Sequence, residues 1–211
     1  MRIISGDARG KIIDAPKGLD TRPVTDKIRQ ALFNVWQFQI PGSSFLDLFS
    51  GSGSMGLEAI SRHAKHVVMV EKGKEAAKVI RSNLKACHFE GRDANVMEQD
   101  VFDAIRQLKR NKETFDLIYL DPPYTVDEIF HPVMEALGDA TLLKPDGEVV
   151  IRTRKEKKMN DRYGDLVKYR EKTWGISTAH FYRKAEDQAK ETPQGNPEDA
   201  SGENTAEKTS A

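Results

Sequence analysis

The 211 residues, 38% hydrophobic and 31% charged, predict a soluble globular protein with length for one well-buried domain and an appendage. No apolar stretch approaches membrane-spanning length and the first residues lack a secretory core, so we expect a cytoplasmic protein that does not contact a membrane. The formal net charge is zero, and the single cysteine, Cys87, excludes an internal disulfide and a cysteine-based zinc site.

Two short β-favouring pieces open the chain, Arg2–Ile4 and Lys11–Ile13, with a glycine-containing segment between them. This spacing predicts a hairpin whose basic tip carries Arg9 and Lys11. We interpret residues 1–20 as an N-terminal basic hairpin that extends from the main domain.

The main domain is predicted to cover residues 21–185 and to begin with a helix. Thr25 is the expected N-cap of this helix, because a threonine hydroxyl accepts one of the free N–H groups of the first turn. Ile28, Leu32 and Val35 fall on one helical face, which we expect to be buried.

A glycine-rich loop follows the strand predicted over Phe45–Ser50. Gly51, Gly53 and Gly56 have the spacing G-x-G-x-x-G between a strand and a helix, which lets the backbone turn tightly and approach a ligand closely. Alone, this spacing is weak evidence for a nucleotide site.

The next predicted strand, Val67–Val70, strengthens the nucleotide interpretation. It ends in Glu71, twenty residues beyond Gly51, where an acid takes both hydroxyls of a ribose. Asp47, inside the first strand, disfavours a pyrophosphate and favours a cationic or zwitterionic ligand. S-adenosylmethionine, which carries a ribose, a sulfonium and an ammonium, therefore fits better than a nicotinamide dinucleotide.

A third predicted strand, Asn95–Gln99, ends at Asp100. An acid at this position is placed to accept a hydrogen bond from an adenine amino group. It is equally explained as the N-cap of the helix predicted over Val101–Leu108.

The strand predicted over Phe115–Leu120 stops at Asp121-Pro-Pro-Tyr124. Two prolines fix φ and cannot continue a ladder, so the Asp121 carboxylate, the Pro122 carbonyl and the Tyr124 ring are held on a stiff turn. Ligands of open α/β sheets bind at this edge, and these groups suit a flat base with an exocyclic amino group. An ordinary Pro-Pro turn with a surface tyrosine explains the tetrapeptide equally well when it is considered alone.

One more helix and three strands are predicted in the rest of the domain. The helix covers Val126–Leu137, a turn covers Leu143–Gly147, and the strands cover Glu148–Thr153, Leu166–Thr173 and Ile176–Arg183. Ending a parallel sheet with an antiparallel pair is the arrangement of Rossmann-like methyltransferases. We therefore expect an α/β fold with a seven-stranded, mostly parallel sheet and a terminal antiparallel hairpin.

Charge is divided unevenly along the chain. Residues 186–211 hold seven acidic residues and two lysines without apolar periodicity, which predicts a disordered acidic tail. The remainder carries a net charge of +5, with basic residues gathered in the first forty residues and between Arg152 and Lys172. Such patches suit a phosphate backbone, although a solvated lysine-rich face explains any one of them.

With these motifs in place, the chain resembles the RsmD family of 16S ribosomal RNA guanine-(N2)-methyltransferases. The glycine loop and Asp-Pro-Pro-Tyr are shared by many amino-directed methyltransferases, whereas the Arg-Pro-x-Thr-Asp helix entry and the basic hairpin narrow the resemblance to this family. The matching pieces are Arg2–Gly6 with Arg9-Gly10, then Thr21–Asn34, Asp47–Ala59, Val70-Glu71 and Leu120–Tyr124.

We expect a monomeric enzyme without a metal. The resemblance implies a methyl transfer from S-adenosyl-L-methionine to the 2-amino group of a guanine, with 16S ribosomal RNA or the small ribosomal subunit as partner. The catalytic residues it implies are Asp121, Pro122, Pro123 and Tyr124. The cofactor-binding residues are Asp47, Gly51, Ser52, Gly53, Glu71, Asp100 and Asp121. We expect RNA contacts from Arg2, Arg9, Lys11, Arg22, Arg154 and Lys155, although Arg22 is also explained as a charge at a helix start.

Three alternatives remain open. Adenine in nucleic acid and a protein glutamine offer the same NH2 to an Asp-Pro-Pro-Tyr turn, although the chain has no separate target-recognition region for a DNA sequence. A module that binds a nucleotide without chemistry is a third possibility. Methylation of cytosine C5 is disfavoured, because it needs a cysteine nucleophile and Cys87 falls in a helix predicted over Lys74–Phe89, away from every motif.

Overall fold

In the part of the chain that the structure describes, the strands form one mixed sheet of eight. The structure, a computed structural model, describes residues 1–16 and 25–186, so Arg22 and the predicted tail from residue 187 onward lie outside the described residues. In chain order the strands are β1 (Ser44–Leu48), β2 (His66–Val70), β3 (Ala94–Met97), β4 (Phe115–Leu120), β5 (Leu143–Arg154), β6 (Arg162–Tyr163), β7 (Leu166–Trp174) and β8 (Ser177–Lys184).

The strands are arranged in the order β3-β2-β1-β4-β5-β8-β7-β6. Neighbours from β3 to β5 pair in parallel, whereas β5, β8, β7 and β6 pair antiparallel. This confirms the predicted Rossmann-like sheet with a terminal antiparallel hairpin. The predicted count of seven strands is one too low, because β6 has only two residues and so shows no alternation in the sequence.

Helices cover both faces of the sheet, and none in the described part of the chain is long and apolar enough to cross a membrane. The predicted helix over Val126–Leu137 is divided into a 3-10 turn, Asp127–Ile129, and an α-helix. The predicted turn at Leu143–Gly147 is instead an irregular part of β5, where the pairing with β4 changes register. The α-helices are α1 (Asp26–Val35), α2 (Ser54–Ser61), α3 (Lys74–Ala86), α4 (Val101–Arg110) and α5 (Phe130–Leu137).

Consecutive residues of the central strands enter different cores. Phe45 of β1 packs on one face of the sheet with Phe33 of α1 and with Trp36, which directly follows that helix. Leu46 belongs to the core on the other face, together with Leu108 of α4. Side chains alternate along a strand, and both faces here are covered by helices, so the strands are apolar at nearly every position. This double cover leaves the ends of the strands as the accessible edge of the sheet.

The amino-terminal hairpin packs along α2. It is shorter than a regular two-stranded hairpin, with one antiparallel bridge between Arg2 and Ile12. The buried carboxylate of Glu58 on α2 accepts hydrogen bonds from the N–H groups of Ile4 and Ser5, at 2.8 and 3.0 Å. The hairpin is therefore held to the domain by buried polar contacts.

Candidate active site

A cavity of about 560 Å³ opens at the carboxyl ends of the parallel strands. The strand order reverses between β1 and β4, which lie side by side although β2 and β3 separate them in sequence. Ligands of doubly wound sheets bind at such a reversal. The cavity brings together most of the predicted site residues: Asp47, Gly51, Ser52, Glu71, Asp100, Asp121, Pro122, Pro123, Tyr124 and Arg154.

The loop after β1 has an unusual backbone. Phe49, Gly51 and Gly53 have φ angles of 77°, 56° and 78°. A Cβ on Gly51 would meet nothing within 4 Å, so its positive φ, and not crowding, accounts for the glycine. Gly53 shapes the loop as the N-cap of α2 but does not line the cavity, unlike the other predicted cofactor residues.

Gly56, the third glycine of the motif, lies inside α2 and not in the loop. A Cβ at this position would come within 2.5 Å of the Met69 sulfur on β2. Gly56 therefore allows the helix to pack closely against the sheet and has no contact with the cavity.

Glu71 follows β2 and connects the loop to the cavity. One of its carboxylate oxygens accepts the N–H of Gly51 at 2.8 Å, and the other accepts the N–H of Gly73 at 2.7 Å. A carboxylate has about four acceptor positions, so two remain for other donors. Glu71 thus fixes the glycine loop and is still able to bind the hydroxyls of a ribose.

Asp47 is a buried acid of the cavity with a raised pKa. It is 1% exposed, and its Oδ2 atom has no hydrogen-bond partner among the described residues. Burial raises the pKa of Asp47 to about 7, and the nearby Asp121 charge adds to the effect. A buried acid with one oxygen free of hydrogen bonds fits the ammonium group of S-adenosyl-L-methionine.

The position of Asp100 is compatible with both roles considered for it, the helix N-cap and a contact to the ligand. Its carboxylate caps α4 by accepting the N–H of Phe102 at 3.0 Å, and it also lines the cavity beside Gln99. The Lys72 ammonium lies 3.4 Å from its other oxygen. Asp100 is therefore placed at the cavity wall with one oxygen committed to the helix.

Asp121 is paired with an arginine. The Nε and Nη2 atoms of Arg152, on β5, donate to its two carboxylate oxygens at 2.9 and 2.7 Å. Burial raises the pKa of Asp121 and the Arg152 guanidinium opposes this, while the charge of Asp121 raises the pKa of Arg152 despite burial. The predicted phosphate contact from Arg152, as part of the basic run, is wrong, because this side chain is only 6% exposed and points to Asp121.

Tyr124 is held in place from several sides, which argues against an ordinary surface tyrosine. Its hydroxyl donates to the Thr153 carbonyl at 3.2 Å and lies 3.3 Å from the Ser177 hydroxyl oxygen. The guanidinium carbons of Arg152 and Arg154 lie 5.1 and 5.5 Å from the centre of its ring. The half-buried ring therefore has a fixed orientation at the cavity wall.

Four of the residues predicted to contact RNA fall into two groups. Arg154 lines the cavity and Lys155 follows it with an exposed side chain. Arg9 and Lys11 lie at the hairpin tip beside the end of α3, in a second, smaller concavity. The neighbouring Asp7 bonds to Ser61, the last residue of α2, so the tip is near the opposite end of that helix from the cavity.

Arg2, the remaining described member of the set, has a mostly exposed side chain 3.7 Å from the Asp26 carboxylate.

Sequence reasoning missed several cavity residues. Phe49, Gln99 and Arg152 line the cavity, and Ser177 bonds to Arg152 at its edge. The sequence carries a signal for one of them: Arg152 is a charged residue that directly follows apolar residues of a predicted strand. A buried charge needs a partner, and Asp121, directly after the adjacent strand β4, is that partner in the structure.

The described residues contain no group of three or more His, Cys, Asp or Glu side chains able to hold a metal ion.

Comparison with known proteins assigns the chain to a family. The family described as "Conserved hypothetical protein 95" matches residues 1–183 of the chain. The putative rRNA methyltransferase YlbH of Bacillus subtilis is 33% identical over 184 residues, which are 87% of this chain and 99% of that protein. Ribosomal RNA small subunit methyltransferase D of Haemophilus influenzae is also 33% identical over 184 residues, covering 87% of this chain and 93% of that protein.

The fold agrees with the sequence comparison. A solved structure of the putative methyltransferase yhhF from Escherichia coli matches with a TM-score of 0.75 at 26% identity, covering 87% of this chain and 97% of that chain. The match of the family ends before the predicted acidic tail. The chain belongs to the RsmD family of methyltransferases, whose model carries the description "Conserved hypothetical protein 95".

Proposed function

We propose that this protein transfers a methyl group from S-adenosyl-L-methionine to the exocyclic 2-amino group of a guanine in small-subunit (16S) ribosomal RNA. One observation carries the proposal: a single cavity joins the acids suited to the cofactor with the Asp121–Tyr124 turn suited to a base. Its volume, about 560 Å³, is in the range of small-molecule sites.

The cofactor half is formed by the loop after β1 and the ends of β2 and β3. Glu71 binds the ribose hydroxyls, Asp100 accepts from the adenine amino group, and Asp47 faces the ammonium of the methionine end. Gly51 and Ser52 line this part of the cavity, where a backbone without large side chains allows close approach. When bound, the cofactor would supply an activated methyl group, whose bond to the sulfonium sulfur would break as its bond to the guanine nitrogen forms; the displaced N–H proton would pass to solvent.

The base half is formed by the turn after β4. A guanine 2-amino group is a weak nucleophile, because its lone pair is delocalised into the ring. The Asp121 carboxylate and the Pro122 carbonyl accept its two N–H bonds, which directs the nitrogen lone pair toward the methyl group. Arg152 takes two of about four acceptor positions on Asp121, so two remain for this task.

Tyr124 stacks on the target base. The base must first leave any helix stack, and a fixed aromatic ring compensates for part of that cost. Pro123 keeps the ring close to the acceptors by fixing the backbone of the turn. Much of the rate then comes from orientation of the reacting groups.

RNA is the substrate favoured by the comparisons and by the charges. Relatives are named as ribosomal RNA methyltransferases, and Arg154 and Lys155 offer cations at and beside the cavity. Adenine in nucleic acid and a glutamine side chain satisfy the same acceptors, and these are the outcomes that the experiment must separate.

The test is methylation by the purified protein with labelled S-adenosyl-L-methionine. Naked 16S RNA, small-subunit particles and ribosomal protein are offered separately, and labelled RNA is digested to nucleosides. We expect the label in N2-methylguanosine. Label in a methylated adenine or in protein glutamine would replace the proposal by that alternative, and no label in any fraction, despite measurable cofactor binding, would favour a binding module.

A further inference from the structure

Arg152 contacts both ends of the turn that receives the target base. Two of its nitrogen atoms donate hydrogen bonds to the Asp121 carboxylate, and the third, Nη1, donates to the Ser177 hydroxyl at 3.0 Å. The same Ser177 oxygen lies 3.3 Å from the Tyr124 hydroxyl, and the Arg152 guanidinium lies against the Tyr124 ring. One side chain therefore connects the acceptor and the stacking ring.

We propose that Arg152 is a positioning residue for methyl transfer, whose guanidinium fixes the Asp121 carboxylate and the Tyr124 ring relative to each other. This inference rests on the proposed function, because it takes those two groups as the ones that meet the target base. Arg152 itself acts through them.

The geometry requires an arginine and not only a positive charge. A guanidinium is planar and presents its donors as a rigid fork, so it sets the plane of the carboxylate that it binds. The Arg152 side chain is buried against β8, where Ser177 holds it from the far side. Lysine would keep the charge but would bind the carboxylate as a point, without defining its plane.

The charge of Arg152 also keeps Asp121 in the state that accepts hydrogen bonds. A protonated carboxyl has one oxygen occupied by its own proton, and it accepts less well from an amino group. Burial raises the pKa of Asp121, and the Arg152 guanidinium is the group that opposes this. The other titratable groups around the pair are Asp47 on β1, Tyr119 on β4 and Tyr124 on the turn.

Two substitutions separate the effect of the forked guanidinium geometry of Arg152 from the effect of its positive charge. Arg152→Met removes both, and Arg152→Lys removes the fork alone. Arg106→Met is the matched control, because Arg106 also pairs with an aspartate, Asp103, but on the exposed side of α4. Each variant is assayed for methyl transfer in a single turnover at saturating RNA and cofactor, for cofactor affinity by calorimetry, and for melting temperature.

We expect the methyl-transfer rate of Arg152→Met to fall about 100-fold, the scale of a misplaced reacting group, with cofactor affinity almost unchanged. The rate should also rise with pH over a higher pH range than in the wild type, because burial raises the pKa of Asp121 and the variant lacks the guanidinium that opposes this. Arg152→Lys should lose rate without this change of pH profile.

A purely structural role predicts a different pattern. Loss of activity by the same factor at every pH in Arg152→Met, in parallel with a lower folded fraction, would overturn the proposal. So would a wild-type rate and pH profile in either variant. Should Arg152→Met fail to fold, Arg152→Lys decides: a reduced rate with wild-type cofactor affinity supports the proposal, and an unchanged rate overturns it.

The proposed function fails on different results. If the wild-type protein methylates no guanine in small-subunit RNA, the function is wrong whatever the variants do. If the wild type produces N2-methylguanosine and the Arg152 variants match it, only the role of Arg152 is wrong.

Discussion

Gly51 donates its backbone N–H to the Glu71 carboxylate at 2.8 Å, so the loop after β1 and the acid after β2 form one unit. Residues twenty positions apart thereby share the task of binding one ligand. The glycine leaves room for the ligand, and the acid that would bind the ribose also fixes the loop that approaches it.

The first prediction concerns this pair. Glu71→Ala removes the ribose acceptor and leaves the Gly51 N–H without its partner, so we expect the affinity for S-adenosyl-L-methionine to weaken by about 2 kcal/mol. Calorimetry measures the change directly. Glu75→Ala, an exposed acid on α3, is the control and should leave the affinity as it is. An affinity for Glu71→Ala equal to that of the wild type would remove Glu71 from the cofactor site.

The second prediction follows from the pKa of Asp47. The folded protein holds this proton up to about pH 7, whereas the unfolded chain releases it near the ordinary value of 3.8. Below 3.8 both states are protonated and the stabilising effect of the proton is complete; it is lost as the pH rises through 7. The unfolding free energy of the wild type, relative to Asp47→Asn, should therefore decrease by a few kcal/mol over this interval.

Urea denaturation of the cofactor-free proteins at a series of pH values measures this difference. The side-chain amide of the Asp47→Asn variant cannot ionise, so the stability of that variant carries no such decrease from this site. A constant difference between the two proteins across the interval would show that Asp47 titrates normally in the folded state.

The third prediction concerns RNA. Arg154→Ala and Lys155→Ala should each weaken RNA binding and reduce the slope of its salt dependence by about one, if each side chain meets a phosphate. Arg110→Ala is the control, because it removes an exposed arginine at the far end of α4. The double variant of Arg9 and Lys11 tests whether the RNA footprint reaches the hairpin tip. Slopes unchanged in all of these variants would place the RNA on another surface.

The fourth prediction separates the ring of Tyr124 from its hydroxyl. Tyr124→Phe keeps the stacking surface and loses the bond to the Thr153 carbonyl, so its methyl-transfer rate should fall far less than that of Tyr124→Ala. Single-turnover rates with RNA in excess make the comparison. Equal losses in the two variants would assign the role to the hydroxyl.

The sequence predicted the sheet and several acids and one glycine that line the cavity, because both depend on local signals. Apolar strands, the glycine spacing and Glu71 at a strand end are read from neighbouring residues. The pairing of Asp121 with Arg152 is not local, since the two residues are brought together by the alignment of β4 with β5. Without that alignment, Arg152 looked like one more cation in a basic run.

The position of the hairpin tip also depends on contacts between residues that are distant in sequence. Arg9 and Lys11 are basic and exposed, as the sequence predicts, but their position near the far end of α2 follows from how the hairpin packs on that helix. The buried Glu58, which binds the hairpin backbone, gave no sign of this role in the sequence. Charge alone therefore identified the residues without identifying their distance from the cavity.

The single-turnover rate of Asp121→Ala, with RNA and S-adenosyl-L-methionine both saturating, tests the account most directly. Loss of the carboxylate removes an acceptor that orients the target amino group, so we expect the rate to fall by orders of magnitude while the affinity for the cofactor changes little. Cofactor titration and melting temperature show that the variant is folded. A rate close to that of the wild type would contradict the account, because Asp121 would then not be an acceptor for the reacting nitrogen.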